Sequence, residues 1–193
     1  MLKQKLLNDA FVSHRLIAFR TPTEKWGETI VGYIKEITSE NITIDEINEY
    51  GCPIGTSTFK LKSLIDIVLD DKTLKCLKLM EDYGNQFSLQ KCTTVWGKGY
   101  ELKEYIKNKM KEKETITLFV EDGVDDDTNI IGIVEDIDQK SVLVNLIDRY
   151  GERDGTILIP LETITGIRWG SMENQARWML NEIFKNGEKN KVL

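Results

Sequence analysis

The stretch "INEYGCPIGT" occupies positions 47–56, and "IDRYGERDGT" occupies positions 147–156. They share Ile, Tyr-Gly and Gly-Thr at matching places, 100 positions apart, while the residues between the two glycines differ. Glycine supplies turn conformations with positive φ, so the shared glycines predict the same turn twice. The differing middles, Cys52-Pro53-Ile54 and Glu152-Arg153-Asp154, are predicted to form an exposed loop tip, because loop tips tolerate change.

This register extends well beyond the loop, since residues 30–67 overlay residues 130–167 without gaps. Ten pairs in those 38 positions are identical, where composition alone would give roughly two or three. A period of 100 residues is too long for a solenoid and indicates a duplicated domain. We therefore expect copy one at 1–84, a linker with a short strand at 85–99, and copy two at 100–193.

Each copy is predicted to be α+β and mainly β, with a helix, five short strands and a trailing helix. Gly32 and Gly132 fall inside the second strand, where a missing side chain permits a sharp bend or the close approach of another backbone. The trailing helices are expected at 71–83 and 171–184, the latter with Ser171 as its N-cap. The opening helices carry apolar residues at helical spacing, namely Leu2, Leu6, Leu7, Ala10 and Phe11, then Leu102, Tyr105, Ile106 and Met110.

The order of a helix followed by five bent antiparallel strands, with a glycine inside strand two, resembles the Sm/LSm fold. The stretch "GIVEDIDQKSVLV" at 132–144 is similar to the first Sm motif of the bacterial Hfq branch. The resemblance implies two tandem Sm-like (SH3-like) five-stranded barrels, and it implies RNA contacts at Asp138 and Gln139. The second Sm motif of the family carries a Lys-His or Arg-Gly pair, and both are missing at the corresponding 61–63 and 161–163. Lys62 is the basic residue nearest to that motif.

The composition argues against several classes of function. No apolar run approaches the roughly 20 residues that cross a bilayer, and residues 1–14 lack a signal-peptide pattern, so we expect a cytoplasmic protein without membrane contact. The net charge of −6 counts against non-specific nucleic-acid binding. A lysine-rich stretch at 98–113 is either a solvated helix face or a local basic patch.

No motif for catalysis, a cofactor or a metal is present in the sequence. The single histidine, His14, has no nucleophile motif beside it, and the three cysteines are widely spaced. The acidic run at 121–127 lacks the alternating ligands and terminal Glu of a calcium loop. Trp26 stands among polar residues and is interpreted as a lid over a barrel end or as an interaction anchor.

The sequence therefore predicts a protein that is not an enzyme. A binding or adaptor role through protein contacts ranks first, RNA binding second, and inhibition of a basic partner by an acidic immunity-type protein third. The candidate binding residues are Trp26, Lys62, Asp138, Gln139, Glu152, Arg153 and Asp154. Two tethered copies or helix-capped edges would stop ring growth, so we expect a monomer or dimer instead of a hexamer or heptamer.

Overall fold

The computed structural model describes residues 2–22, 29–83, 91–121 and 128–186, and it divides the chain into two compact units at positions 85 and 86. The protein is α+β, with four helices and two antiparallel sheets within the described residues. In those same residues, no helix is long and apolar enough to span a bilayer.

Unit 1 is a five-stranded sheet with a helix at each end of its sequence. Its strands lie in the order β4-β3-β2-β1-β5. Its elements are α1 (Leu2–Val12), β1 (Leu16–Arg20), β2 (Thr29–Ile37), β3 (Asn41–Ile47), β4 (Pro53–Lys60), a 3₁₀ turn (Leu61–Ser63), β5 (Asp66–Leu69) and α2 (Lys72–Tyr83).

Unit 2 repeats this arrangement and adds a sixth strand. Its strands lie in the order β10-β9-β8-β7-β11-β6. Its elements are β6 (Thr93–Trp96), α3 (Gly99–Glu112), β7 (Thr115–Val120), β8 (Thr128–Ile137), β9 (Ser141–Ile147), β10 (Arg153–Pro160), a 3₁₀ turn (Leu161–Thr163), β11 (Ile164–Trp169) and α4 (Met172–Lys185). The strand predicted within the linker is thus an edge strand of unit 2.

Neither sheet closes into a barrel within the described residues, so the predicted barrels are not confirmed. Strands β4 and β5 of unit 1, and strands β10 and β11 of unit 2, are each joined by a 3₁₀ turn and are not paired with each other. The opening helix packs on this turn instead. In unit 1, Lys3 Nζ donates to the carbonyl oxygens of Leu61 at 2.7 Å and Leu64 at 2.9 Å. In unit 2, an added Cβ on Gly99 would lie 1.9 Å from Leu161 O.

The core of each unit lies between the sheet and its opening helix. In unit 1 the core consists of Leu7, Ala10, Ile17, Phe19, Ile34, Ile42, Ile44 and Leu64. In unit 2 it consists of Leu102, Ile106, Ile116, Leu118, Ile130, Val134, Val142, Val144, Ile159, Leu161, Ile164 and Ile167. The predicted apolar face of α1 is too wide: Leu2, Leu6 and Phe11 are exposed, because the helix buries only the narrow stripe of Leu7 and Ala10.

The glycines inside the second strands mark a close approach of two backbones. A Cβ on Gly32 would lie 2.3 Å from Asp45 O, and one on Gly132 would lie 2.2 Å from Asn145 O. Shortly after each glycine the register shifts, between Ile34 and Glu36 and at the equivalent place in β8. The sequence offered two explanations for these glycines, a sharp bend or the close approach of another backbone. The structure shows the close approach, and the register shift lies next to it along the strand.

Candidate functional site

The repeated loop is built by the same hydrogen bonds in both units. Asn48 Oδ1 accepts from the backbone N–H groups of Tyr50 and Cys52, both at 2.9 Å. Asp148 Oδ1 accepts from the N–H groups of Tyr150 at 2.9 Å and Glu152 at 2.8 Å. A short polar side chain that caps the backbone two and four residues later fixes the loop conformation.

The glycine of the shared Tyr-Gly pair is required because it packs against the trailing helix. Gly51 and Gly151 have φ of 76° and 77°, as predicted from their place in the turn. A Cβ on Gly51 would lie 2.8 Å from Glu81 N in α2, and one on Gly151 would lie 2.4 Å from Leu180 Cβ in α4. The trailing helix therefore packs directly on this loop. This contact explains why the residues at the two ends of the loop are the same in both copies.

The predicted loop tip is only partly a loop. Pro53 and Ile54 already belong to β4, and Arg153 and Asp154 belong to β10. The strands start early because Ile47 pairs with Pro53 and Ile147 pairs with Arg153 across a register shift. All four of these strand residues are exposed, as the sequence predicts.

In unit 2 the loop and α4 enclose a groove of about 650 Å³. Its walls come from β8, β9, the loop and the last turns of α4. The groove is lined by Ile133, Asn145, Ile147, Gly151, Glu152, Arg153, Asn181, Phe184 and Lys185. Glu152 and Arg153, both predicted binding residues, thus share one site.

Arg153 is held over the groove by neutral acceptors. Its Nη2 donates to Asn145 Oδ1 and, at 2.9 Å, to Thr156 Oγ1. Thr156 Oγ1 also donates to Asn145 Oδ1 at 3.0 Å. The nearest carboxylate in an ion pair with Arg153 is Glu135, at 3.9 Å, with both side chains well exposed. Such a loose surface pair contributes little, so the guanidinium keeps its capacity to bind an anion.

Asn181 is the buried polar residue of the groove, with an exposed fraction of 6%. Its Nδ2 donates to Gly151 O at 2.8 Å and ties α4 to the loop. Its Oδ1 is buried and has no hydrogen-bond partner in the structure. A buried acceptor left without a donor is unfavourable, and such atoms are uncommon in folded proteins.

The equivalent place in unit 1 is occupied by a tyrosine. Tyr33 stands at the position of Ile133, and its hydroxyl donates to Glu81 Oε2, at the position of Asn181. Lys78 Nζ lies 3.0 Å from the same carboxylate. Burial and the hydrogen bond to Glu81 raise the pKa of Tyr33 to about 12, so its hydroxyl remains a donor at neutral pH.

His14 is part of this unit 1 cluster. Its ring stacks on Tyr33 with 4.6 Å between centroids, and its φ of 50° places it in the turn that ends α1. The contact is one between aromatic faces and involves no nucleophile.

The loop edges of the two units also differ in charge. In unit 1, Asp45 Oδ1 accepts from Thr56 Oγ1 at 2.5 Å and from Lys35 Nζ at 3.2 Å. These two contacts hold the pKa of the Asp45 carboxyl below its usual value. In unit 2 the carboxylate is replaced by Asn145, and the cation is Arg153 on β10. Unit 1 therefore pairs its cation with a carboxylate at 3.2 Å, whereas the ion pair between Arg153 and Glu135 in unit 2 is looser, at 3.9 Å.

The other predicted binding residues lie in separate turns. Asp138 Oδ1 accepts from the N–H groups of Lys140 and Ser141, both at 2.7 Å, and these bonds lower the pKa of its carboxyl. Asp138 thus shapes the tight turn between β8 and β9, beside the exposed Gln139. Lys62 is exposed in the 3₁₀ turn of unit 1. RNA contact by these residues stays a prediction.

Some of the predicted binding residues lie outside the groove, and some groove residues were not predicted from the sequence. Asp154 is exposed but does not line the groove. Trp26 and most of the acidic run at 121–127 lie outside the described residues. Sequence reasoning missed Asn181 and Lys185. The available signal was a break in the repeat, since Glu81 and Tyr33 become unrelated residues 100 positions later.

A second surface feature is a group of exposed aromatic residues in unit 2. Trp96 is 61% exposed, although its ring contacts that of Phe119 at a tilt of 40°, with 4.6 Å between centroids. A Cβ on Gly166 would lie 2.6 Å from that indole, so the glycine makes room for it. Tyr100 and Tyr105 follow on α3 and are 54% and 45% exposed. A supported yet exposed indole is typical of an interaction anchor.

The described residues contain no group of three or more His, Cys, Asp or Glu side chains arranged to hold a metal ion. Comparison of the chain with protein-family models, curated proteins and solved structures finds no match in any of the three.

Proposed function

We propose that this chain is a non-enzymatic binding protein of the cytoplasm, built from two Sm-like units and acting through protein contacts. The observation that carries the proposal is Trp96, a large aromatic side chain held in place by Phe119 and Gly166 while most of it faces solvent. Ordering such a side chain on binding costs little entropy, because it is already fixed. Trp and Tyr are the residues most enriched at the energetic centres of protein interfaces.

The Sm-like description is supported by the strand order. Both units run as a helix followed by strands joined consecutively, with the fifth strand returning beside the first. The opening helix covers the corner between the end strands, and β6 covers the outer edge of β11. Because β6 occupies the edge of β11 with which a neighbouring subunit would pair in a ring, the proposal includes a monomer or dimer.

RNA binding is the runner-up and receives less support from the lysine-rich helix α3. Lys107 Nζ lies 2.9 Å from Glu104, and Lys109 Nζ lies 2.5 Å from Glu112 and 2.9 Å from Glu114. Lys109 also lies over the Trp169 ring, 5.2 Å from its centroid. Lys107 and Lys109 are paired with acids of their own helix and with Glu114, two residues beyond it, which reduces their attraction for phosphates.

The test is partner capture with matched tryptophan variants. Wild-type protein, Trp96→Ala and Trp178→Ala are immobilised, and a partner captured from a lysate is identified, purified and titrated against each. Trp178 is the control because it is a tryptophan of unit 2 that is also exposed, at 42%. We expect Trp96→Ala to weaken binding at least about tenfold and Trp178→Ala to change it less than about twofold.

Salt and absorbance separate the alternatives. A contact centred on an indole should persist at raised salt. An acidic inhibitor should dissociate from a basic partner under the same conditions. Equal affinity of both variants would contradict the proposal, provided that their melting curves match the wild type. Purified protein that carries nuclease-sensitive absorbance at 260 nm would place RNA binding first.

A further inference from the structure

We infer that the outer edge of β5 in unit 1, with the groove beside it, binds an extended segment of a partner protein as an added antiparallel strand. This surface, formed by Asp66–Leu69 of β5 and Leu6 of α1, is called the β5 site. The inference deepens the proposed function and rests on it in one respect, since the occupant belongs to a protein partner. It uses a surface of unit 1, whereas the proposed function depends on Trp96 in unit 2.

The first step is a difference between the two sheets at this edge. In unit 2, β6 pairs antiparallel with β11 and places Val95 opposite Ile167. In unit 1, β5 pairs with β1 alone among the described strands. One matched residue shows the effect: Ile167 is fully buried, whereas Ile67 is only half-buried. A strand edge without a partner presents N–H and C=O groups that can pair with another chain. The second copy therefore shows what the edge in unit 1 accepts, namely an antiparallel strand.

The second step is the groove beside this edge. In unit 2 the Trp169 ring packs on the opening helix and stacks on Tyr105, with 6.1 Å between centroids. In unit 1 the equivalent residue is Leu69, and it lines a groove of about 480 Å³ together with residues of α1 that include Leu6. A groove of this size holds a bulky side chain. The smaller residue in unit 1 thus leaves room for a large apolar side chain of the occupant.

The third step is the alternation of side chains along the added strand. In unit 2, Val95 packs on the core, and the next residue, Trp96, lies on the other face of the sheet. In unit 1, Ile67 and Leu69 both pack on the core. The occupant's residues opposite these two therefore face the core and α1 as well. The one opposite Ile67 should be β-branched, like Val95, and the one opposite Leu69 should be large, because the groove lies beside it.

The fourth step excludes an indole at the far end of the strand. In unit 2, Phe119 pairs with Gly166 beneath the Trp96 ring, and a Cβ on Gly166 would lie 2.6 Å from that ring. In unit 1, Arg20 pairs with Asp66 at this place, and its Nε donates to Asp66 Oδ2 at 2.8 Å. The Asp66 side chain occupies space that a tryptophan would need. The occupant's residue opposite Asp66 is therefore not aromatic.

Charge contributes little to this site, because the arginines beside it are already paired. Arg15 Nη1 lies 2.9 Å from Asp70 Oδ2, and Arg20 is paired with Asp66. Such exposed pairs offer no free cation to an anionic ligand. The exposed Asp9 in the groove lining disfavours an acidic residue in the occupant. Binding therefore depends on backbone hydrogen bonds and apolar contacts, and it should persist at raised salt.

The probe is the peptide N-acetyl-Ser-Phe-Thr-Val-Thr-Ser-amide, which places Phe opposite Leu69 and Val opposite Ile67. It is titrated into the full chain and followed by NMR. We expect saturable shifts of the amide signals of residues 65–69, while the indole signal of Trp96 does not move. Replacement of Phe by Ala in the peptide should weaken binding at least about fivefold, because most of a buried aromatic side chain is lost.

Two N-methylated peptides test the strand pairing itself. Alternate N–H groups of an antiparallel strand point to its neighbour. Methylation of the Phe and Val nitrogens blocks one set, and methylation of the two Thr nitrogens blocks the other. One peptide should bind at least about tenfold more weakly than the parent, and the other should stay within about threefold. Equal effects of the two methylations, or no saturable shifts with the parent peptide, overturn the inference.

Leu69→Trp closes the groove with the residue that unit 2 carries at this place. We expect it to weaken binding of the peptide at least about fivefold, because the Phe side chain loses its space. Ile54→Trp is the matched control, since Ile54 is 61% exposed on β4 at the opposite edge of the sheet, and it should stay within about twofold of the wild type. Wild-type affinity of Leu69→Trp would contradict the assignment of the groove.

Light scattering distinguishes a partner segment from a second copy of the chain. A monomer that binds the peptide supports the inference. A dimer that the peptide dissociates would mean that β5 pairs with a second copy, and it would overturn the inference of a partner segment. Partner capture that depends on Trp96 would remain intact if the peptide failed to bind, so failure here is distinguishable from failure of the proposed function.

Discussion

Gly132→Ala tests the closest backbone approach in unit 2. The new Cβ would lie 2.2 Å from Asn145 O and 2.8 Å from Val144 Cγ1, whereas ordinary contact begins at 3.4 Å. The two strands must therefore separate by about 1 Å at this point. Gly132 lies in β8, which pairs with β7 on one side and β9 on the other, so the shift disturbs both ladders.

The expected loss of stability follows from these contacts. Overpacking typically costs about 1–3 kcal/mol, and a weakened ladder bond adds roughly 1 kcal/mol, which gives about 3 kcal/mol. Each kcal/mol lowers the melting temperature of a domain of about 100 residues by roughly 4 °C or more. Calorimetry should therefore show the transition lowered by more than about 10 °C. Gly32→Ala should behave alike, since its Cβ would lie 2.3 Å from Asp45 O.

Gly97→Ala is the control, because its Cβ meets side-chain atoms and no backbone atom. The nearest are Glu101 Oε2 at 3.0 Å and Leu102 Cδ2 at 3.6 Å. We expect less than about 0.5 kcal/mol from this change. Should Gly132→Ala and Gly97→Ala melt at the same temperature, the reasoning that a carbonyl occupies the Cβ position would be refuted.

Two further predictions concern the loop and the tyrosine. Asp148→Ala removes the acceptor of two backbone hydrogen bonds and should lower the free energy of unfolding by about 1–2 kcal/mol, measured by urea titration. Asn48→Ala should have the same effect in unit 1. An unchanged urea midpoint would mean that the side chain does not cap the loop. Tyr33 has its pKa raised from 10.0 to about 12, so the neutral hydroxyl contributes stability that is complete below pH 10 and is lost as pH rises through 12. Tyrosinate absorbance should show one group titrating near pH 12 in the wild type that Tyr33→Phe lacks, and its persistence in the variant would exclude Tyr33.

The strands could be predicted because their signals are local and appear twice. The alternation in β3 and β9, the glycine inside β2 and β8, and Ser171 at the start of α4 all act over a few residues. Ser171 Oγ accepts from Asn174 N at 3.1 Å, as the spacing predicts. Comparing two copies also removed chance patterns that a single copy would contain.

The barrel and the width of the α1 face were harder to predict, because they depend on packing between distant segments. Closure requires β4 to pair with β5, which are far apart in the sheet order, and the opening helix packs on the 3₁₀ turn that connects them. The residues of α1 have helical spacing, but how many of them are buried depends on how the helix tilts on the sheet. Neither barrel closure nor the number of buried residues in α1 can be predicted from local periodicity.

The candidate site could be found only in part for the same reason. Glu152 and Arg153 could be predicted as binding residues because they lie in the part of the loop that differs between the copies. The fold does not fix the residues of such an exposed segment. Asn181 enters the site when α4 folds back on Gly151, a contact that joins positions 30 residues apart. The break between Glu81 and Asn181 in the repeat was visible, but its meaning depends on knowing that Tyr33 faces it.

The duplicated chain thus separates what the fold requires from what a site requires. Both units have the same loop, capped by Asn48 or Asp148, and the same glycine beneath the trailing helix. Without these features the helix could not pack closely on the loop. The residues that face the enclosed space differ together: a tyrosine becomes Ile133, and a carboxylate becomes Asn181. In unit 1 these two side chains satisfy each other. In unit 2 both have changed and Arg153 has been added, so the two copies share the packing of the loop and differ in the side chains that face the enclosed space.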